Sequence, residues 1–530
     1  LKNIHIFLLT LLLALALIVS PVSALETVRV GLYYDVALRT NATISSASLS
    51  NQEGFSVYIQ LAENVALPLT YTQVKLEAKN SQYVQIGASQ NFEGAYQQAR
   101  EARDKWAYKA YVAYRKDNTQ FPFKVWVEGL DAVVRINYPG AFSVSSQNDA
   151  VTLSDGQNKE VGLITADRVS LQLSPRGVIP TTAAAPGQFT RFYEGTFEVR
   201  AAALKLSLIN ILNMEQYIFG VVPYEMSDSW PLEALKAQAV AARSFAVANQ
   251  NKHTALGFNL SDSSLCCQKY AGYNHEYMNT LRAVQETAGL VARYNGSIAQ
   301  LFYHSNSGGH TENSEDVWSG ALPYARATPD PFSVSQPLLV HLASRSGNNT
   351  EFPARWHLTH SREEVEEMLR QNQIAVGTVL EILPQLQSAG GRHLQLLVRG
   401  TNGEAVILRT ATRTVFNFSS SLYDIIPVHR RVHVAGSGGA VREIPVNQQI
   451  FAAAAVGSVP AARTSQNISM LGAQRSRTVS KLPLAFAFDG RGWGHGVGMS
   501  QWGAFEMARQ GYNYEEILKY YFQGIEIGSL

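Results

Sequence analysis

The chain has 530 residues, 46% of them hydrophobic and 16% charged, enough for roughly three or four domain-sized units. Its 19 prolines and 39 scattered glycines exclude a mainly disordered or a collagenous chain. Lys+Arg 44 against Asp+Glu 42 leaves a net charge of +2, so no global basic field points to nucleic acid.

Lys2 precedes an apolar stretch from Ile6 to Val19, broken only by Thr10, and Pro21-Val22-Ser23-Ala24 follows. This pattern predicts a signal peptide over 1–24, with an uncleaved N-terminal anchor as the alternative. Either way the rest is expected to be exported and extracytoplasmic, at the cell wall or held to a membrane only through that segment. With two cysteines, an exported chain of this size relies on its core rather than on disulfides.

A strand is expected at 28–34 and a Ser/Thr/Asn-rich loop at 40–51. Strands at 55–60 and 83–86, a helix at 92–106 and strands at 108–114 and 121–127 follow. The βαββ order, with Tyr83-Val84-Gln85-Ile86-Gly87 ahead of the helix, resembles a divergent sporulation-related repeat (SPOR) domain. That resemblance implies a module at about 50–130 that binds glycan strands stripped of peptide; a generic small α+β domain fits the same motif. Residues 131–222 read as strands broken by Pro139-Gly140, Asp155-Gly156 and Pro186-Gly187. Helices are expected at 231–250, 277–292 and 361–371, and strands at 298–304 and near 377–410. The Gly- and Ala/Ser-rich stretch at 430–480 reads as an inserted or loosely packed region. The fold class is α+β, strand-rich and multi-lobed around a central Ala-rich helix.

That helix begins at Pro231, whose missing N–H costs nothing in a first turn. Leu232, Leu235, Ala239, Ala242 and Ala246 fall on one stripe at helical spacing, and Lys236 and Arg243 share an adjoining face. Just ahead, Glu225 stands between Pro223 and Pro231, flanked by Tyr224, Met226 and Trp230. A carboxyl among apolar groups has its charged form disfavoured, which suits a general acid for glycosidic cleavage. The plain alternative is a solvated loop glutamate.

Two later blocks carry further candidates. In Phe302-Tyr303-His304-Ser305-Asn306-Ser307-Gly308-Gly309-His310-Thr311-Glu312-Asn313, His304 and Ser307 are placed to hold sugar hydroxyls or an acetamido group. The nucleophile-elbow pattern is absent. Glu312, Glu315 and Asp316 are second carboxylates for a hydrolase, or surface charges. In Gly490-Arg491-Gly492-Trp493-Gly494-His495-Gly496-Val497-Gly498-Met499-Ser500-Gln501-Trp502-Gly503-Ala504, the alternate glycines predict backbone packed very close to something. No Gly-Lys-Ser/Thr ending supports a nucleotide loop. Trp493 offers a face for a pyranose ring or is a core tryptophan; His495 and Gln501 are placed to hydrogen-bond substrate or orient Glu225.

Gly220-Val221-Val222-Pro223-Tyr224-Glu225-Met226, the Trp230–Ala242 helix and these two blocks together resemble the stage II sporulation protein D family, whose wider group includes amidase-enhancer proteins. The similarity covers about 190–525. It implies a lytic transglycosylase that cuts peptide-free peptidoglycan glycan during engulfment of the forespore, with Glu225 as the catalytic carboxyl. It further implies that Lys236 and Arg243 contact the muramoyl lactyl carboxylate, a solvated basic helix edge being the alternative. Tyr270 joins His304, Ser307, Trp493, His495 and Gln501 among the substrate contacts. The other branch of the group implies a non-catalytic activator of a cell-wall amidase.

No cofactor is required by this reading. Cys266 and Cys267 are adjacent, so both can reach one zinc only if the backbone bends, with His253 and His275 as further ligands. Some members of the resembled family bind zinc through a Cys/His set ending before the Gln-x-Tyr found here at Gln268 and Tyr270. Cys267 matches the last cysteine, but Cys266 stands where those members carry histidine, and their earlier cysteine falls near Ser261 or Asp262. The expectation is therefore a plain cysteine pair, with zinc as the alternative.

Overall fold

Asn91 caps the helix Phe92–Trp106 by accepting the Gly94 N–H, and Ala107 in the left-handed region ends it, so this helix has the predicted bounds. Its buried face of Phe92, Ala95, Ala99 and Ala102 is built largely of alanine, which lets it lie close on the strands Gln82–Ser89, Phe123–Glu128 and Lys109–Tyr114. Trp126 stacks on Tyr83 at 5.5 Å between rings and donates its indole N–H to Gln85. The computed structural model describes residues 27–530 apart from 61–64, 68, 70, 79, 116–119, 147–149, 157–161, 166–169, 178–179, 319, 347–351, 436–440, 447–450, 455–456, 461–466 and 472–475. The signal-peptide expectation for 1–24 and parts of the 430–480 expectation lie outside the described residues. No helix among the described residues is long and apolar enough to cross a membrane.

The described residues form two units, the first running to Ala292 with Ile298–Gln300 and Gly528–Leu530 added, the second made of Arg293–Ser297 and Leu301–Ile527. The first unit holds two large sheets. In one, ten strands run in the order Phe142–Ser145, Gln82–Ser89, Phe123–Glu128, Lys109–Tyr114, Gly162–Thr165, Val151–Asp155, Gln73–Ala78, Ser46–Ser50, Thr181–Ala184, Arg191–Tyr193. The other is centred on Lys205–Asn213, flanked by Thr27–Gly31 and Thr196–Ala202. A capping box at Asn213 and Gln216 turns that central strand into the helix Met214–Phe219.

The central helix is Leu232–Ala248, with Pro231 in the N-cap position. Burial extends beyond the predicted stripe: every residue from Ala237 to Val247 is buried, because alanines let neighbours approach from all sides. The helix expected at 277–292 is shorter, Met278–Glu286. Thr287 bonds back to the Ala283 carbonyl at 2.7 Å, Gly289 turns the chain at φ +71°, and the apolar run that follows becomes the strand Leu290–Tyr294.

The second unit is built on small sheets. Ala485–Arg491 lies between Arg355–Ser361 and Tyr423–Val428, and Val379–Gln387, His393–Gly400 and Gly403–Leu408 form a meander. Its core gathers Phe416, Phe418, Phe488, Leu396 and Val398, with Trp356 packed against it. The described parts of 430–480 form three successive hairpins, Arg431–Ala435 with Val441–Pro445, Phe451–Ala454 with Gly457–Pro460, and Asn467–Leu471 with Ser476–Ser480. The mixture of helices and several sheets is an α+β fold, as the sequence pattern predicts.

Candidate functional site

Glu225 ends the short helix Val222–Glu225. Met226 and Trp230 beside it are buried, whereas Glu225 itself is half-buried. Its Oε1 accepts the backbone N–H of Lys269 at 2.9 Å, which helps to orient the carboxyl. The following loop is tied down in turn: Asp228 accepts the Thr280 N–H at 2.7 Å, and its carbonyl accepts the Asn279 amide. Tyr224 opens onto a cleft of about 1000 Å³ within the first unit.

Three other candidates in this unit have partners that the sequence did not reveal. Arg243 has a side chain 0% exposed, and its Nε and Nη2 donate to the two oxygens of Glu215 at 3.0 and 2.6 Å. Its Nη1 donates to the Leu290 carbonyl. This buried fork replaces the expected contact to a lactyl carboxylate with a structural one. Lys236 is gripped by Glu233 at 2.8 Å and Glu286 at 2.6 Å; burial lowers its pKa, and the two carboxylates more than reverse that. Its side chain is 14% exposed between two partly exposed carboxylates, so the ammonium is engaged in a surface ion-pair cluster. Tyr270 is buried, stacks on Tyr217 at 5.4 Å and donates its hydroxyl to Asn210 at 2.6 Å, so it braces the fold under the Glu225 segment and offers no face to a substrate.

The cysteine pair is brought onto one side by a turn in which the N–H groups of Cys266 and Cys267 both donate to the Ser263 carbonyl. The backbone bend that a shared ligand requires is therefore present. The two Sγ atoms are 3.6 Å apart and lie 3.7 and 3.5 Å from His253 Nε2. A tetrahedral zinc with Zn–S near 2.3 Å and Zn–N near 2.0–2.1 Å sets about 3.8 Å between sulfurs and about 3.6 Å from sulfur to nitrogen. The donors match that spacing. The hydrogen bond from the Cys266 thiol holds Cys267 below the ordinary thiol range and pushes Cys266 up. His275 is exposed, lines the cleft and is not part of the group. His253, Cys266 and Cys267 would hold the ion, which would cross-link the turns on either side of the strand Leu260–Ser261.

In the second unit the glycine-histidine block does pack against close neighbours. A β-carbon on Gly494 would lie 2.6 Å from His304 Cβ, and one on Gly492 2.7 Å from the Asn306 carbonyl oxygen. Asn306 and Trp493 exchange backbone hydrogen bonds at 3.0 and 2.8 Å, so the two sequence blocks form one layer. His304 is buried, with Nδ1 on the Val497 carbonyl at 3.2 Å. Burial, then His495 and Arg392, hold its pKa well below the ordinary range. His495 is half-buried beside Trp318 and His304 and is pushed down to about 3 by burial and by Arg413 and Arg392. Both imidazoles are neutral at pH 7. Trp493 is 42% exposed and pairs with Phe352 at 4.9 Å, which rules out the core-tryptophan alternative.

Ser307 is fully buried and donates to Asp330 at 2.7 Å, so it is a strut rather than a sugar contact. Gln501, buried at the first position of the helix Gln501–Arg509, is likewise withdrawn from the surface. Of the second carboxylates, Glu315 pairs with Arg326, which holds it down at about 2, and Asp316 accepts from Asn313. Glu312 is not a surface charge: it is fully buried, which raises its pKa. The residue that sequence reasoning missed is Arg392, 1% exposed and donating to the Ser307 carbonyl at 2.7 Å. Only the glycine run opposite signalled that a large group had to fit there. The site residues thus fall into two sets, Glu225, Lys236, Arg243 and Tyr270 in the first unit and His304, Ser307, Trp493, His495 and Gln501 in the second.

The chain shares 30% identity over 325 residues with a Bacillus subtilis protein named Amidase enhancer, covering 58% of this chain and 40% of that protein. It therefore spans well under half of that relative. An uncharacterised protein of Brachyspira hyodysenteriae is 26% identical over 418 residues, 76% of this chain and 92% of its own length. Stage II sporulation protein D of Bacillus subtilis is 26% identical over 330 residues, 60% of this chain and 74% of that protein. Residues 203–294, the stretch that holds Glu225 and the His253–Cys266–Cys267 group, match the Stage II sporulation protein family.

Proposed function

We propose that the chain acts on the cell wall outside the cytoplasm in sporulation, as a lytic transglycosylase on peptide-stripped peptidoglycan glycan. The observation that carries this reading is Glu225: a half-buried carboxyl inside the family-matched stretch, oriented by the Lys269 amide at 2.9 Å. A glycosidase that uses water normally needs two carboxylates. Here one suffices, because the nucleophile belongs to the substrate. Glu225 gives its proton to the glycosidic oxygen O4 of N-acetylglucosamine as the C1–O4 bond of N-acetylmuramic acid breaks. The C6 hydroxyl of the same muramoyl ring forms the C1–O6 bond and returns a proton to Glu225. No water is consumed, and the product ends in a 1,6-anhydro ring.

Trp493, exposed beside Phe352, supplies a stacking face for a sugar in the second unit. The test is product chemistry on amidase-treated glycan. The wild-type chain releases fragments one water lighter than hydrolysis products by mass spectrometry, and Glu225→Gln, still folded, releases none. Full activity of Glu225→Gln would overturn the assignment. A second reading, an activator of a cell-wall amidase, draws on the 30% identity with the protein named Amidase enhancer. Under it the chain alone yields no product and speeds release by an added amidase.

A further inference from the structure

A straight row of side chains crosses the edge of the ten-stranded sheet. Gln73 pairs with Ser50, Ser50 with Thr182, and Thr182 with Phe192, each directly opposite the next. Residues opposite one another in a ladder point to the same face, so these four stand side by side over roughly 14 Å, at about 4.8 Å per strand. All four line the cleft of about 1000 Å³ that also reaches Tyr224. The edge strand is not left open. The Tyr273 N–H donates to the Phe192 carbonyl at 2.6 Å, and this antiparallel bridge extends the row to the loop holding Tyr273 and Asn274, which also line the cleft.

The chemistry of the lining is selective. Phe192 is 52% exposed and presents a flat apolar face. Around it apolar surface, with Tyr224 and Tyr273 among its sources, is interleaved with amide and hydroxyl groups such as Gln73, Thr182 and Asn274, and His275 and Glu276 also reach the cleft. Arg191 pairs with Asp262 at 3.7 Å and the lining also carries the acidic Glu276, so the cleft has little net positive charge for phosphates or nucleic acid. Amides and hydroxyls set beside aromatic faces suit a neutral ligand with many hydroxyls and one apolar ring face. At about 1000 Å³ the space is at the top of the range for small-molecule clefts, ~300–1,000 Å³, so it takes more than one ring.

We infer that this cleft is an oligosaccharide-binding site, with sugar rings seated on Phe192 along the Gln73–Ser50–Thr182 row. Its residues at 50, 73, 182 and 192 lie outside the family-matched stretch. That the oligosaccharide is peptide-stripped glycan rests on the proposed function; Tyr224, which lines the cleft, directly precedes Glu225 in the chain.

The experiment measures binding rather than cleavage, by calorimetry on the full chain carrying Glu225→Gln. The probes are tetra-N-acetylchitotetraose and amidase-treated glycan strands. Adding Phe192→Ala is expected to weaken binding of both at least tenfold. Thr182→Trp, which fills the row without removing the aromatic face, is expected to do the same, with circular dichroism confirming the fold of each. Binding changed less than twofold in both folded variants, or no binding of either probe to the parent, overturns the site. Binding of chitotetraose alone supports a saccharide cleft and overturns the peptidoglycan assignment. Residual cleavage by Glu225→Gln would sink the catalytic reading while leaving this comparison intact.

Discussion

Gly496 lies flat against Arg392: a β-carbon on this glycine would fall 2.5 Å from Nε and 2.7 Å from Cζ of the guanidinium. The glycine also sits at φ +86°. Gly496→Ala therefore meets two penalties, a left-handed backbone and an overpacked contact with a buried cation, together about 2–5 kcal/mol. Gly511, at φ +95° with no atom within 4 Å of its would-be β-carbon, isolates the first. Gly511→Ala is expected to cost about 1–2 kcal/mol. Urea unfolding of both variants checks the difference, and equal midpoints would show that the Arg392 contact does not constrain Gly496.

What the sequence made legible is what short-range chemistry decides. The helix Phe92–Trp106 is bounded by its own cap, and Ser361 with Glu364 forms the capping box that starts Arg362–Gln371. The alternate glycines announced a close approach. The identity of the approaching group was hidden, because Arg392 is more than a hundred residues from Gly496 and sits on a separate meander. Arg243 was misread for the same reason. On a helical wheel it resembles a surface cation, and only the tertiary fold brings Glu215, 28 residues earlier, against it. The cysteine turn was open from sequence because adjacent residues in an extended chain diverge, whereas Ser263 gathers both N–H groups into a bend.

Mild acid is expected to destabilise the second unit through His304 and His495. Both have folded pKa values below the ordinary range, His495 at about 3, so the unfolded chain binds more protons below about pH 6.5. Stability is unaffected above that pH and falls as pH drops through it, by up to about 1.4 kcal/mol per pH unit for each histidine. Glu312 and Asp330, raised by burial, act in the opposite sense: their contribution is present at low pH and lost as pH rises. His304→Asn keeps a donor for the Val497 carbonyl but cannot titrate. Its unfolding free energy should show a shallower slope between pH 6.5 and 5.5 than the wild type; an unchanged slope would mean His304 already titrates normally in the fold.

Zinc is expected to bind the His253–Cys266–Cys267 group at about one ion per chain. Because the unfolded chain does not present these ligands together, binding adds to stability, by about 2.7 kcal/mol when free metal is a hundredfold above Kd. Thermal melting with zinc, after chelation, and for Cys267→Ser reads this out. The wild type should melt higher with zinc and lose the gain on chelation, and Cys267→Ser should show little gain at all. Wild-type melting that ignores zinc, with no metal retained through gel filtration, would leave the three donors as a packed cluster.

The Arg243–Glu215 pair is expected to matter to stability and not to substrate. Arg243 is wholly buried, while the Glu215 side chain is 36% exposed, so the two truncations are unequal. Removing Glu215 leaves a buried guanidinium with only the Leu290 carbonyl, a cost near the ~3–5 kcal/mol of a broken buried pair. Removing Arg243 leaves a carboxylate that water can partly reach, and it still accepts the Gly289 N–H at 3.1 Å, so Arg243→Met should cost less, about 1–3 kcal/mol once solvent screening is counted. Urea unfolding of Glu215→Ala, Arg243→Met and the double variant gives the coupling by a double-mutant cycle. Folded Arg243→Met should also keep its affinity for glycan strands. A tenfold loss of that affinity without loss of stability would return Arg243 to the substrate.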